Sequence, residues 1–318
     1  MSAAGSTPNC SMRPWPERAR LLVAIFGDED WHARRLARAF AARGADIAVL
    51  SLRHCAIETA ASPALRLPGL DRLPDAAFVR SVPGGSFEAV TLRLGVLHAL
   101  RAAGVRIWNE PGAIERCVDK SMTSYLFAAA GLATPPTWVV QGRERAAEVV
   151  AREAVDGTPL VLKPLFGAQG RGLGLVRAPG DLPDEDAVAG VYYLQRYVGA
   201  AAGGWHDYRL FVSGGRVLAA MVRHGVSWIT NMHQGARAEP WEPSAAAQAL
   251  ALGAVRAVGA AHAGVDLIRD AHGRWLVLEV NSMPAWSGLQ GVTAFDIAER
   301  IVADCLASLP AEAVPAAT

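Results

Sequence analysis

Lysine is almost missing from this chain. Of the 31 lysines and arginines among its 318 residues, only Lys120 and Lys163 are lysines. They sit in C-V-D-K-S-M-T and P-L-V-L-K-P-L-F-G-A-Q-G-R-G, and arginine supplies the positive charge everywhere else. An ammonium is a compact point charge with rotatable donors, and it fits between phosphate oxygens where a planar guanidinium is too wide. The two lysines therefore point to positions where arginine will not serve. Chance survival is the alternative, and it is stronger for Lys120 than for Lys163, which precedes a glycine-rich loop.

Other absences narrow the field. The cysteines Cys10, Cys55, Cys117 and Cys305 lie far apart without a CxxC pair. That argues against cysteine-bound zinc and indicates free thiols, mostly small core residues, in a reducing cytoplasm. Charge of one sign is not in excess: the formal net charge is +1, which gives no grip on nucleic acid or an anionic membrane. No apolar run approaches the length of a membrane span, and the first residues lack the apolar core of a signal peptide. There are no internal repeats. The turn F-G-D-E-D after the first apolar run has one glycine rather than G-x-G-x-x-G, so no dinucleotide is assigned to it.

What is present is a core-rich chain, 52% hydrophobic and long enough for two or three domains. R-L-L-V-A-I-F-G reads as a buried parallel strand. A helix with Trp31, Leu36 and Phe40 on one face follows and ends at Gly44. The pattern repeats through D-I-A-V-L-S-L, A-A-F-V-R, a helix over Ser86 to Ala103 and V-R-I-W-N, which predicts a parallel α/β domain. Its strand ends should line a substrate cleft, with Arg80 and Ser86 in R-S-V-P-G-G-S-F as contacts; an ordinary turn explains this loop equally well. Next come one or two helices, with Asp119 as a cap and Gly131 as a stop, and then a strand after the double proline of A-T-P-P-T-W-V-V. The expected organisation is a disordered lead-in over 1–18, an N-terminal α/β domain over 19–110, a central subdomain over 111–195, a C-terminal subdomain over 196–309 and a tail over 310–318.

Two constellations carry chemistry. In the first, P-L-V-L-K places Lys163 on the face of Val161, followed by glycines at 167, 170, 172 and 174. Such glycines let backbone N–H groups converge on an anion. The G-K-[ST] of a P-loop is missing and a strand follows, so the expected element is a flexible hairpin folding over phosphates. In the second, G-V-D-L-I-R and R-W-L-V-L-E-V-N-S form strands joined by a D-A-H-G turn. Glu279 and Asn281 then share a face that Asp266 can reach. These hard oxygen donors suit Mg2+ held jointly with substrate phosphates. A buried acid neutralised by arginine is the alternative, and Arg209, inside H-D-Y-R-L-F-V, is placed either to neutralise the site or to clamp a γ-phosphate.

D-K-S-M-T, V-L-K-P-L-F-G-A-Q-G-R-G, Y-L-Q-R-Y-V, D-Y-R-L-F-V, N-M-H-Q-G, G-V-D-L-I and L-E-V-N-S-M-P occur in the order found in ATP-grasp ligases. Over roughly residues 80 to 305 the chain resembles the RimK-like α-L-glutamate ligases, which modify a ribosomal protein or folate-like and deazaflavin coenzymes. The resemblance implies an α/β (α+β ATP-grasp) fold: an N-terminal parallel α/β domain followed by two ATP-grasp subdomains with ATP between them. It implies that Lys120 and Lys163 hold ATP phosphates and that Gly170 belongs to the covering loop. The backbone of Gln195, Arg196, Tyr197 and Val198 would read adenine. Asp207, Ile229, Thr230 and Asn231 would lie along the nucleotide. Asp266, Glu279 and Asn281 would ligate two Mg2+ ions, with Mn2+ as a substitute. Arg209 and Arg223 would support phosphoryl transfer, and His233 and Arg237 would lie near the substrates. Arg196 departs from the acid common in the hinge, and the loop between Arg223 and Asn231 looks shorter than in the ribosomal-protein enzymes.

The expected reaction is ATP-dependent amide formation through an acyl-phosphate. L-glutamate would supply the amine, and a small coenzyme of pterin or furan type, or a peptide or protein terminus, would supply the carboxylate. Glutathione- or dipeptide-forming ligases, an ATP-grasp kinase and a non-catalytic ATP-binding regulatory module are the competing readings. No nucleic acid or membrane partner is expected, and a homo-oligomer is left open.

Overall fold

The computed structural model describes residues 20–155, 157–167, 170, 172–199 and 204–309. The lead-in, the tail, Cys10 and parts of the glycine loop fall outside them. The first unit runs β1 (Leu22–Phe26), α1 (Trp31–Ala41), β2 (Asp46–Leu50), the small hairpin β3 (Ala56–Ile57) and β4 (Leu65–Arg66), β5 (Ala76–Val79), α2 (Phe87–Ala102) and β6 (Arg106–Trp108). Its main sheet has the order β2-β1-β5-β6, all parallel. Gly44 and Gly104 follow the two helices at φ +79° and +90°, a conformation that lacks a Cβ penalty only in glycine.

Helices α3 (Pro111–Val118) and α4 (Lys120–Ala129) come next, α4 being capped by Asp119, whose Oδ1 accepts from the Ser121 and Met122 amides. Then follow β7 (Thr137–Gln141), α5 (Arg143–Glu153), β8 (Leu160–Lys163), β9 (Gly174–Val176) and β10 (Val191–Arg196). They form an antiparallel sheet in the order β7-β10-β8-β9. Leu160, Leu162, Tyr192 and Leu194 pack with α5 on one face. Alternation leaves Val161, Lys163, Tyr193 and Gln195 on the other.

The last unit comprises β11 (His206–Ser213), β12 (Arg216–His224), β13 (Arg237–Pro240), α6 (Ala245–Val258), β14 (His262–Arg269), β15 (Trp275–Asn281), α7 (Ser287–Gln290) and α8 (Ile297–Ala307). Its antiparallel sheet has the order β13-β12-β11-β14-β15. One face, with Leu210, Val212, Val265, Leu267, Val277 and Val280, packs on α6. Phe211 and Met221, on the opposite face, join Trp286, α8 and α1 in one core shared with the first unit.

Two details differ from the expected division. Phe127 of α4 is buried in the core of the last sheet and Ile114 of α3 in the core of the first unit, so neither helix packs into the core of the central sheet. The expected boundary at 195/196 falls inside β10, because the hinge strand runs on to Arg196.

Candidate functional site

An open cleft, about 770 Å³ counted with the solvent at its mouth, lies between the central sheet and the last sheet. Lys163 enters from the central sheet, and Gln195 through Val198 form the strand end beside it. Asp207, Arg223, Asp266 and Glu279 enter from the last sheet, and Gly170 and Ile229 through Asn231 close the side. Thirteen of the residues expected at the site line this one cleft.

The acidic side depends on an irregularity in a strand. Asp266 pairs with Glu279, but Leu267 pairs with Val277, so Leu278 is the extra residue of a β-bulge. Val277 and Val280 consequently point into the core, whereas Leu278 and Glu279 both line the cleft. Strict alternation would have put Val277 and Glu279 on the same face. Asn281 lies opposite Gly264, farther along β15 and outside the lining of the cleft.

Asp207, Arg209, Arg223 and Asp266 are all under 10% exposed and form one chain of ion pairs. Arg223 donates through Nε to Asp207 Oδ1 at 2.6 Å and through Nη2 to Oδ2 at 2.5 Å. The same Nη2 lies 3.0 Å from Asp266 Oδ2. Arg209 makes a two-pronged contact to Asp266, with Nη2 to Oδ2 at 2.7 Å. Burial alone would push the Asp266 carboxyl up, but Arg209 and Arg223 overcome it and hold it at about 2. Arg209 thus takes the neutralising role weighed for it, behind Asp266 and outside the cleft lining. Two carboxylates balance two guanidiniums, so Glu279 faces the lysines as the one uncompensated acid of the group.

Lys163 Nζ donates to Gln195 Oε1 at 2.7 Å. Desolvation lowers its pKa to about 8, with Glu279 and Asp266 opposing the shift and Lys120 adding to it. Lys120 Nζ donates to the carbonyls of Gly167 at 2.8 Å and Leu165 at 3.4 Å, pinning the start of the glycine loop. Its pKa is also lowered, mainly by burial, against the pull of Glu279. At the loop's far side, Gln234 Nε2 donates to Gly170 O at 3.1 Å. Gly167 and Gly170 are thus each held through their carbonyls by a side chain from outside the loop.

The remaining expected residues sit elsewhere. Arg80 is nearly buried, donating to Met283 O at 3.1 Å, 3.6 Å from Asp30, with its guanidinium 5.7 Å from the centre of the Trp286 ring. It joins the first unit to the segment after β15. Ser86 caps α2 by accepting from the Ala89 amide, which is the ordinary-turn alternative. His233 and Arg237 are exposed, and Arg237 pairs with Glu239. Arg196 contributes to the cleft, but its guanidinium turns toward Glu153 at 2.8 Å and the Trp138 ring, so this charge points away from the site. The sequence reading missed Trp228, Ile268 and Leu278, which give the cleft its apolar walls. Trp228 lies inside the loop singled out between Arg223 and Asn231, whereas Leu278 is exposed to the cleft only by the bulge.

A pair of antiparallel sheets facing each other across a polar cleft, with a glycine hairpin beside it, defines the ATP-grasp architecture. Residues 117–305 match the RimK-like ATP-grasp domain, and the chain belongs to that family. It is 30% identical over 319 residues to the tetrahydromethanopterin:alpha-L-glutamate ligase of Methanosarcina acetivorans, covering 88% of this chain and 96% of the relative. It is 32% identical over 290 residues to a protein of Pseudoalteromonas atlantica named Probable alpha-L-glutamate ligase 1, covering 86% and 90%. The fold also matches the ATP-grasp ligase PsnB, solved with a phosphomimetic variant of its minimal precursor, Mg and ADP, at TM-score 0.70 and 22% identity over 92% of this chain and 99% of that one.

Proposed function

We propose that the cleft binds Mg–ATP and that the chain is an ADP-forming acid–amino-acid ligase joining L-glutamate to a carboxylate on a small coenzyme of pterin type. The observation that carries this reading is the convergence of Lys163, Glu279 and the Asp207–Arg223–Asp266 network on one cleft. With the four buried ions balanced, two lysines against one glutamate leave an excess positive charge suited to a polyphosphate. Tyr197 and Trp228, edge-on at 6.2 Å, with Ile268 and Leu278 nearby, make an apolar slot for a purine. The Arg196 and Tyr197 amides donate to the Pro136 and Pro159 carbonyls, so the backbone N–H offered to the base falls to Val198.

The donor set fits magnesium. Among the described residues, the Glu279 carboxylate and the Asn281 amide have no hydrogen-bond partner, and Asp266 keeps a lone pair after accepting from two arginines. Asp266, Glu279 and Asn281 would hold two ions, with Mn2+ as a substitute; the metal would offset charge building on the transferring phosphoryl. Arg223 and Lys163 stabilise the same charge from the protein side. The glycine loop, tied by Lys120 and Gln234, keeps water from the acyl-phosphate, and the glutamate amine then displaces phosphate. The names of the tetrahydromethanopterin ligases support glutamate and a pterin acceptor; PsnB, solved with a precursor peptide, keeps a peptide acceptor as the second reading.

The test is ADP release in the presence of glutamate and candidate acceptors, by wild type and by Lys163→Ala and Glu279→Ala. The reading expects both variants to lose ADP formation while staying folded. Unchanged turnover in either would remove the assignment of the site.

A further inference from the structure

The proposed nucleotide site leaves four polar side chains without a role: Ser124 on α4, Thr137 on β7, and Tyr193 and the Gln195 side chain on β10. Tyr193 is directly opposite Lys163 in the ladder and Gln195 is its diagonal neighbour, on the same face. Both are almost fully buried, at 1% and 2% exposure. Their hydrogen bonds have a direction that can be worked out by counting hydrogens. Ser124 Oγ gives its one hydrogen to Lys120 O at 2.9 Å. With that hydrogen on the Lys120 carbonyl, tyrosine is the donor in the 2.7 Å bond between Ser124 Oγ and Tyr193 Oη, where either oxygen can donate. Thr137 Oγ1 gives its hydrogen to Pro135 O at 2.9 Å, so it accepts from Gln195 Nε2 at 3.0 Å. The same Nε2 donates to Tyr193 Oη at 3.3 Å. The amide is thereby locked with Oε1 toward Lys163 Nζ, at 2.7 Å.

The result is a one-way chain, Lys163 to Gln195 to Tyr193 to Ser124 to the carbonyl of Lys120. It begins on one of the two lysines and ends on the backbone of the other, crossing from the central sheet to a helix that packs on the last sheet. We propose that Gln195, Tyr193 and Ser124 are positioning residues that set the spacing of the two ammonium groups to match a triphosphate. Aligned donors in such a chain polarise one another. The chain grips the Lys163 ammonium directly and Lys120 at its backbone, the Lys120 ammonium itself being held by the Gly167 and Leu165 carbonyls.

The proposal rests on the reading of the cleft as a nucleotide site, and the test separates the two. Calorimetric titration would compare Mg–AMPPNP, which spans both lysines, with AMP, which lacks the β- and γ-phosphates. Wild type, Tyr193→Phe, Ser124→Ala, the double variant and Ser124→Thr would be measured. Each of the first two variants is expected to lose about fivefold to tenfold in affinity for Mg–AMPPNP, the size of one hydrogen bond, and less than about twofold for AMP. The double variant should lose no more than either single one, because all three cut the same chain. Ser124→Thr should keep the wild-type ratio. A general loss of packing would weaken AMP and Mg–AMPPNP alike. Wild type preferring Mg–AMPPNP while the variants keep the same preference, or single losses that multiply in the double variant, would overturn the chain and leave the nucleotide site standing. Wild type binding neither ligand would overturn both.

Discussion

At the scale of the residue, the site is a charge arrangement with little slack. Lys163 and Glu279 were legible in the sequence because a lysine in a lysine-poor chain and a glutamate inside an apolar strand both demand explanation. The Arg223–Asp207 bidentate pair was not, since nothing in either strand announces which residue opposes which. Lys163 also carries a pH signature. Burial depresses its pKa to about 8, below the ordinary lysine value, so in the empty protein half of it has lost its proton at about pH 8. A bound triphosphate favours the ammonium and raises that pKa again. Nucleotide binding should therefore take up protons between about pH 8 and 9.5, and weaken as pH rises through that range. Calorimetry in two buffers of different ionisation enthalpy measures this, and binding without proton uptake would contradict it. Lys163→Arg keeps the charge but not its shape, and should lower the rate of ADP formation by about two orders of magnitude or more.

At the scale of the element, the glycine hairpin and the bulged strand do the positioning. The hairpin was readable from Lys163 onward, because closely spaced glycines before a β-type sequence permit little else. The bulge at Leu278 was not readable, since no residue type marks it and only the mismatch of two core faces requires it. Gly172 has φ +71°, and a Cβ there would lie 2.8 Å from the Pro164 ring. Gly170 has φ +68°, and its Cβ would meet Gln234 and Ile229 at 3.0 Å. Alanine at either position adds about 1–2 kcal/mol of backbone strain before any clash is counted. The loop is remote from the main cores, so Gly170→Ala and Gly172→Ala should reduce turnover severalfold while lowering the melting temperature by only a few degrees. A large loss of thermal stability with normal turnover would mean that the loop serves the fold and not the reaction.

At the scale of the whole molecule, the three units are joined by polar contacts as well as by the shared core. Asn109, at the end of the first sheet, donates to His262 O and Ser282 O and accepts from the Ala261 and His262 amides. Asn109→Ala leaves these buried backbone groups unpaired and should cost about 3–5 kcal/mol, read as a lower denaturant midpoint. His262, beside the Phe78 and Trp108 rings, is held neutral by burial with Arg80 nearby, its pKa pushed down to about 3. A histidine whose folded pKa lies below its unfolded value loses stability as pH falls from about 6.5 toward 3. His262→Phe should flatten that dependence in denaturation series at pH 7 and 5, and an unchanged slope would assign the acid sensitivity elsewhere. The parallel first sheet followed from the alternation of apolar runs and helical spacing. The docking of α4 on the last sheet did not, because an amphipathic helix shows that it packs but not against what. The most direct test of the central claim is mass spectrometry of small-molecule extracts incubated with the protein, ATP and isotopically labelled glutamate. The account predicts a carboxylate-bearing acceptor gaining one labelled glutamyl unit for each ADP released; ADP formed without glutamate, or a product gaining phosphate instead, would contradict it.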